Sequence, residues 1–184
     1  HDVWTMPPSS QGYLILAAAG VLDPLELPEP DDPAWPHLLA EVARLTGADR
    51  HDLLSESASG ATLLDEKRSL AVREQLDPAR RVPCAPPPRP TGDTTVVTAV
   101  DRDRQGVTLI QSNAKDFGAH LVEPNTGTFL HNRGNGFRLA PGHPAAYGPG
   151  RRPPHTLSPA LVTIPSGALR AVLGTMGGDS QPQV

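Results

Sequence analysis

The stretch Gly92-Asp93-Thr94-Thr95-Val96-Val97-Thr98-Ala99-Val100-Asp101 decides how this chain reads, because a proline-rich run ends there and an apolar, β-branched run begins. Val and Thr suit a pleated, half-buried strand, which places Thr94 at the first residue of a strand, directly after a flexible Gly-Asp pair. A hydroxyl at that joint has two readings. It can satisfy a nearby backbone group, as an ordinary strand-starting threonine does. Alternatively, if the chain is cut before Thr94, the freed α-amino group can act as base for the hydroxyl on the same residue. The segment by itself leaves both open.

Downstream, Thr95 to Asp101 and Gly106 to Gln111 predict two strands joined by a tight Arg102-Asp103-Arg104-Gln105 turn, an antiparallel hairpin. Further short strands are expected at Thr126 to His131, Ala160 to Ile164 and Ala168 to Leu173, the last two turning at Pro165-Ser166-Gly167. Between them Gly134 to Pro154 is rich in Gly and Pro and reads as a long loop of the kind that often carries function.

Upstream, Arg81 to Thr91 holds Pro83, Pro86, Pro87, Pro88 and Pro90 and reads as an extended, solvated linker, accessible as a processing site needs to be. Before it the period is helical. Leu14, Leu16, Ala17, Ala18 and Val21 predict a buried helix capped by Ser9 or Ser10 and stopped at Asp23-Pro24. Leu38, Leu39, Val42 and Leu45 predict a second from Ala34 to about Thr46-Gly47, after a surface loop from Glu26 to Pro33. Asp65 caps a third, from Glu66 to about Leu76, which Asp77-Pro78 stops. Val3-Trp4-Thr5-Met6 is a short apolar piece ahead of Pro7-Pro8. Helices first and antiparallel strands later give an α+β class.

With 184 residues and 38% hydrophobic content the chain can bury the core of one domain. Its 22 Pro and 17 Gly would suggest disorder if spread evenly, but the prolines cluster. A net charge of -4 argues against a nucleic-acid partner, which needs clustered Lys and Arg. The single Cys84 makes no internal disulfide, and without a neighbouring His or run of cations it reads as inert. No apolar run approaches the roughly 20 residues that cross a bilayer. The seven His are scattered over separate segments with no metal-ligand spacing, so neither metal nor cofactor is expected. Gly148-Pro149-Gly150-Arg151-Arg152 is basic, but its prolines deny it the helix N-terminus that phosphate binding uses.

Gly92-Asp93-Thr94 and the strand to Asp101, Val107-Thr108-Leu109-Ile110-Gln111-Ser112-Asn113, Phe117-Gly118, Asn132-Arg133-Gly134 and Met176-Gly177-Gly178-Asp179-Ser180-Gln181-Pro182-Gln183 together resemble, in order and spacing, the γ-glutamyltransferase family of N-terminal-nucleophile hydrolases. A weaker match reaches back through Pro7-Pro8-Ser9-Ser10-Gln11-Gly12 and Ala48-Asp49-Arg50. The resemblance implies a four-layer αββα sandwich, present here in part. Residues 1–80 would be the helical end of a large subunit, 81–93 the linker to a cleavage site at Asp93-Thr94, and 94–184 the start of the small, catalytic subunit. The chain is then a fragment of a precursor, a zymogen matured by autoproteolysis.

The resemblance also implies roles. Thr94 is the nucleophile and Ser112 a second hydroxyl beside it, while the amides of Gly177 and Gly178 face the developing oxyanion. The relatives that transfer γ-glutamyl groups hold the glutamate head with an Asn, an acidic residue and a Ser-Ser pair, and those places fall on Ala114, Gly136 and His155-Thr156. The partner for the α-ammonium is therefore missing. Arg133, where the family usually has a neutral amide, is similar to the oxamate amidohydrolase and cephalosporin acylase-like branch and is expected to clamp a substrate carboxylate, with His155 and Thr156 beside it. The expected activity is hydrolysis or acyl transfer on a small amide, with water or an amine as acceptor. The alternatives are ordinary γ-glutamyl transfer in glutathione metabolism, or a non-catalytic fragment acting as a binding module. A cytoplasmic location is the expectation, with a periplasmic or secreted form left open by a start that lacks Met.

Overall fold

The computed structural model describes residues 1–84 and 94–183, so Asp93 and most of the proline-rich linker lie outside the described residues. Within them the class is α+β. Seven strands, β1 (Asp2–Thr5), β2 (Thr94–Val100), β3 (Gly106–Ser112), β4 (Val122–Glu123), β5 (Thr128–Phe129), β6 (Ala160–Thr163) and β7 (Leu169–Leu173), accompany five helices. The helices are α1 (Tyr13–Leu22), α2 (Ala34–Thr46), α3 (Arg50–Leu53), α4 (Gly60–Leu63) and α5 (Glu66–Arg73).

Strands β1, β6 and β7 form one antiparallel sheet in that order, β2 and β3 a second, and β4 and β5 a third. The β2–β3 turn is built by Asp101, whose carboxylate accepts from the N–H groups of Asp103 and Gln105 at 2.9 Å each, with Arg104 in the left-handed region at φ 64°. Asp tolerates and stabilises such turns by bonding its own backbone two residues on. The inner face of the hairpin packs on β7. A side-chain carbon at Gly106 would meet Leu169 and Val172, and one at Gly174 would meet Thr108 and Val96, so the two sheets lie as close as glycine permits. The outer face stays exposed at Val97, Val107 and Leu109.

The core sits among the helices. Tyr13, Leu14, Leu54 and Leu63 form one buried cluster, with Val21, Val42 and Leu45 also inside. Each such side chain contributes about 1.5–3 kcal/mol by leaving water. Helix α5 is capped as its sequence predicts, Asp65 accepting from the N–H of Lys67 at 2.9 Å, but it ends at Arg73 rather than Leu76. Helix α1 starts later than its serines suggest, because Ser10 Oγ accepts from Gly12 N–H at 3.0 Å and donates to Leu157 O at 2.6 Å instead of capping. Of the strand expected at Thr126 to His131 only Thr128–Phe129 pairs, against Val122–Glu123.

Where the linker leaves the helices it is held. Glu41, buried on α2, accepts from the N–H of Val82 at 2.8 Å and pairs with Arg44, which donates to Val82 O at 2.9 Å and to Cys84 Sγ at 3.0 Å. Although burial acts to raise it, the Val82 amide and the Arg44 guanidinium hold the Glu41 carboxyl below the usual carboxylate range. A cation thus does reach Cys84, from forty residues upstream.

Candidate active site

The β2–β3 ladder keeps one continuous register, from Val100 opposite Gly106 to Thr94 opposite Ser112. Directly opposed residues share a face, with their Cβ atoms about 4.5–5.5 Å apart. Thr94 and Ser112 therefore lie on the half-buried inner face with Val96 and Ile110, whereas Thr95 is exposed on the other. Ser112 Oγ accepts from the N–H of Ala114 at 3.0 Å, which leaves the hydroxyl's own proton and a further lone pair for a neighbour.

Arg133 connects this pair to a cleft. It opens a 3-10 turn (Arg133–Gly136), and its guanidinium donates to Ser112 O and to Thr156 Oγ1, both at 3.4 Å. Both acceptors are neutral, and among the described residues no carboxylate lies within ion-pair distance of it. Burial pulls its pKa below that of a free guanidinium. The adjoining cleft, of about 270 Å³, is lined by four cations, Arg50, Lys115, Arg133 and Arg138, and by one carboxylate, Asp179. On a chain of net charge -4 this is a local reversal that favours an anionic ligand.

His155 and Thr156 line the same cleft, as do Ala114 and Gly136. A side-chain carbon at Gly136 would lie 2.7 Å from Pro154 O, so no acidic residue fits there without moving that backbone. His155 is held by its main chain, its N–H donating to Ser9 O at 2.9 Å and its carbonyl accepting from Gln11 N–H at 3.0 Å. Its Nδ1 is buried without a hydrogen bond, and burial first, then the Arg133 charge, pushes its pKa down. The ring is neutral near pH 7.

Gly177 and Gly178 follow β7 at φ 133° and 57°, backbone conformations that residues with a side chain rarely adopt. Gly177 O accepts from Ser180 N–H at 3.1 Å and from Ser180 Oγ at 2.8 Å. Gly178 O accepts from Gln11 Nε2 at 2.9 Å, and the same nitrogen donates to Thr156 O at 3.2 Å. Arg50, 3% exposed, donates to Gln11 Oε1 at 3.0 Å and to Asp179 O at 2.6 Å.

Contacts thus run from Ser112, which faces Thr94, through Arg133, Thr156 and Gln11 to Gly178. The side-chain cleft itself is lined by Arg133, His155 and Thr156 but not by Thr94, Ser112 or the glycine pair. Gln11 and Arg50 were visible in the sequence only as members of short motifs. The available signal was a polar residue opening a wholly apolar helix and a lone Arg after a helix end, both of which the fold buries.

The sequence profile of the family described as gamma-glutamyltranspeptidase matches residues 1–184. The chain is 34% identical over 185 residues to the oxamate amidohydrolase proenzyme of Klebsiella pneumoniae, an alignment covering 98% of this chain and 35% of that protein. It is 30% identical over 190 residues to the glutathione hydrolase-like YwrD proenzyme of Bacillus subtilis, covering 100% of this chain and 35% of that one. Among solved structures it is similar to cephalosporin acylase from Bacillus halodurans, with a TM-score of 0.82 and 30% identity over 98% of this chain and 33% of the acylase. The chain spans about a third of the length of these relatives.

Proposed function

This chain belongs to the gamma-glutamyltranspeptidase family, and on that premise we propose that it is part of an N-terminal-threonine amidohydrolase or acyltransferase that cuts itself between Asp93 and Thr94. The carrying observation is the place of Thr94, at the first residue of β2, opposite Ser112 and one step from the Arg133 cleft. A threonine hydroxyl is a weak nucleophile, whereas a free α-amino group with a reference pKa near ~7.7–8 supplies a base of matched strength. In maturation the Thr94 hydroxyl attacks the Asp93 carbonyl, the acyl group shifts from nitrogen to oxygen, and water hydrolyses the ester. In turnover the freed amine takes the Thr94 hydroxyl proton and Oγ attacks the substrate amide. The leaving amine carries that proton away, and water or an acceptor amine resolves the acyl-enzyme. The Gly177 and Gly178 amides receive the oxyanion.

Residues 1–80 then form the end of the large subunit, 81–93 the linker and 94–184 the start of the small subunit of a four-layer αββα sandwich. The substrate class follows from Arg133, a half-buried cation on the cleft with no carboxylate within ion-pair distance among the described residues: an acyl group that carries a carboxylate and no α-ammonium. The name of the oxamate amidohydrolase supports such an acyl group, since oxamate is a monoamide with one free carboxylate. Intact mass of the full-length protein tests the reading. Two fragments split at Asp93-Thr94, absent from an inactive Thr94→Ala protein, are expected; efficient cutting of Thr94→Ala at that bond would remove the mechanism.

A further inference from the structure

Gln11 is 1% exposed, yet its side chain makes no contact that α1, whose start it precedes, requires. Both polar atoms of the side chain bond residues far along the chain. Nε2 gives both protons to main-chain carbonyls, one on the glycine-pair loop and one on the His155-Thr156 loop, while Oε1 is fixed by Arg50.

In a trans peptide the C=O of one residue and the N–H of the next lie in one plane and point in opposite directions. The Gly177 carbonyl, turned in toward Ser180, therefore sets the direction of the Gly178 N–H. The Gly178 carbonyl, turned to Gln11, sets the next peptide plane, and Arg50 on the Asp179 carbonyl sets the one after. Glycine has nearly flat torsional preferences, so a glycine pair has no orientation of its own and takes it from what holds its carbonyls. An oxyanion site works only when its donors are fixed before charge develops.

We propose that Gln11, oriented by Arg50, is a positioning residue for the reaction: by holding the Gly178 carbonyl it pins the loop that carries the Gly177-Gly178 amides at a fixed distance from the Thr156 side of the substrate cleft, while Ser180 sets the direction of the Gly178 N–H. This rests on the reading of Thr94 and the glycine pair given above. Because Gln11 and Arg50 precede the proposed cleavage point and Gly178 follows it, the lock also joins the two chains after maturation.

The test uses the full-length protein, with rates expressed per processed chain. Gln11→Met keeps the length of the side chain and removes every side-chain hydrogen bond; kcat should fall about 10- to 100-fold with KM within about threefold. Affinity for a boronic acid that forms a tetrahedral adduct on the threonine should fall by the same factor, and affinity for the carboxylic acid product should not change. Gln11→Glu retains the partner for Arg50 but sets a carboxylate oxygen against the two carbonyls, so thermal melting of both variants is read beside kcat, and a role confined to holding the fold would show as a loss of stability with the rate per folded, processed chain unchanged. At saturating substrate its kcat should fall as in Gln11→Met. A full kcat in either variant, or parallel losses of boronate and product affinity, would overturn the proposal. Thr94→Ala run alongside separates the failures. An uncut, inactive Thr94→Ala with a full-rate Gln11→Met overturns the positioning role alone, whereas a cut and active Thr94→Ala overturns the reaction and this role together.

Discussion

Thr94 and Ser112 form the last pair of the β2–β3 ladder, on its half-buried face, and the carbonyl of Ser112 accepts from Arg133. One residue therefore shares a face with Thr94, the proposed nucleophile, and offers its main chain to Arg133 at the cleft. Ser112→Ala should lower kcat about tenfold or more while leaving KM for a carboxylate-bearing substrate nearly unchanged, because the Arg133 contact is to the backbone. Steady-state kinetics on processed protein check this; a rise in KM with kcat intact would place Ser112 in binding instead.

Gly177→Ala should cost on the order of 10²–10³ in kcat if the amides stabilise the oxyanion. A Cβ there would lie 2.6 Å from Ser180 Oγ. Ser180→Gly in the same protein removes that clash but not the strain of a side chain at φ 133°, so it should not restore the rate. Thermal melting distinguishes this from a structural turn, which would lose stability and activity in step.

Arg133→Ala should cost the protein its best carboxylate-bearing substrate. With glutaryl- and γ-glutamyl-p-nitroanilide as a pair, the wild type should favour the glutaryl compound, whose carboxylate meets Arg133 without an ammonium left unpaired. A charged hydrogen bond contributes about 1.5–3 kcal/mol, so the substitution should lower kcat/KM for the glutaryl compound roughly 10- to 150-fold. A wild-type preference for the γ-glutamyl compound, untouched by Arg133→Ala, would return the protein to ordinary γ-glutamyl transfer.

Burial and the Arg133 charge depress the His155 pKa from its ordinary 6.5, so the folded protein resists the proton that the unfolded chain accepts. Stability from this source is complete above about pH 6.5 and is lost as the pH falls below it. His51, depressed by burial, acts in the same direction. Urea midpoints measured from pH 7.5 down to 5.5 should decline, and His155→Gln should flatten the decline. An unchanged slope would show that His155 protonates as easily folded as unfolded.

The hairpin, the two long helices and the β6–β7 pair were legible in the sequence, because each carries its period within a single segment. Strand β1 was not: Val3-Trp4 is too short to signal a strand, and its pairing with Ala160–Thr163 lies about 160 residues away. Ser10 misled for the same reason, since a serine before an apolar helix signals a cap, and only the approach of Leu157 diverts its hydroxyl. At the candidate site, Arg133, His155 and Thr156 were marked by departures from a resembling pattern, and the fold places them in one cleft with Ala114 and Gly136. Gln11 and Arg50 act on main-chain carbonyls, which have no side-chain identity to read.

The turn at Asp101 to Gln105 is also a counting device. Thr94 stands in the seventh uninterrupted pair from it, so the choice between two adjacent threonines is measured from the far end of the hairpin. A slip of one residue would bring Thr95 opposite Ser112 and rotate Thr94 to the outer face. Turn length, more than the local sequence Asp93-Thr94-Thr95, therefore sets which hydroxyl can meet Ser112, and a single insertion at the tip would act on the chemistry from some 20 Å away.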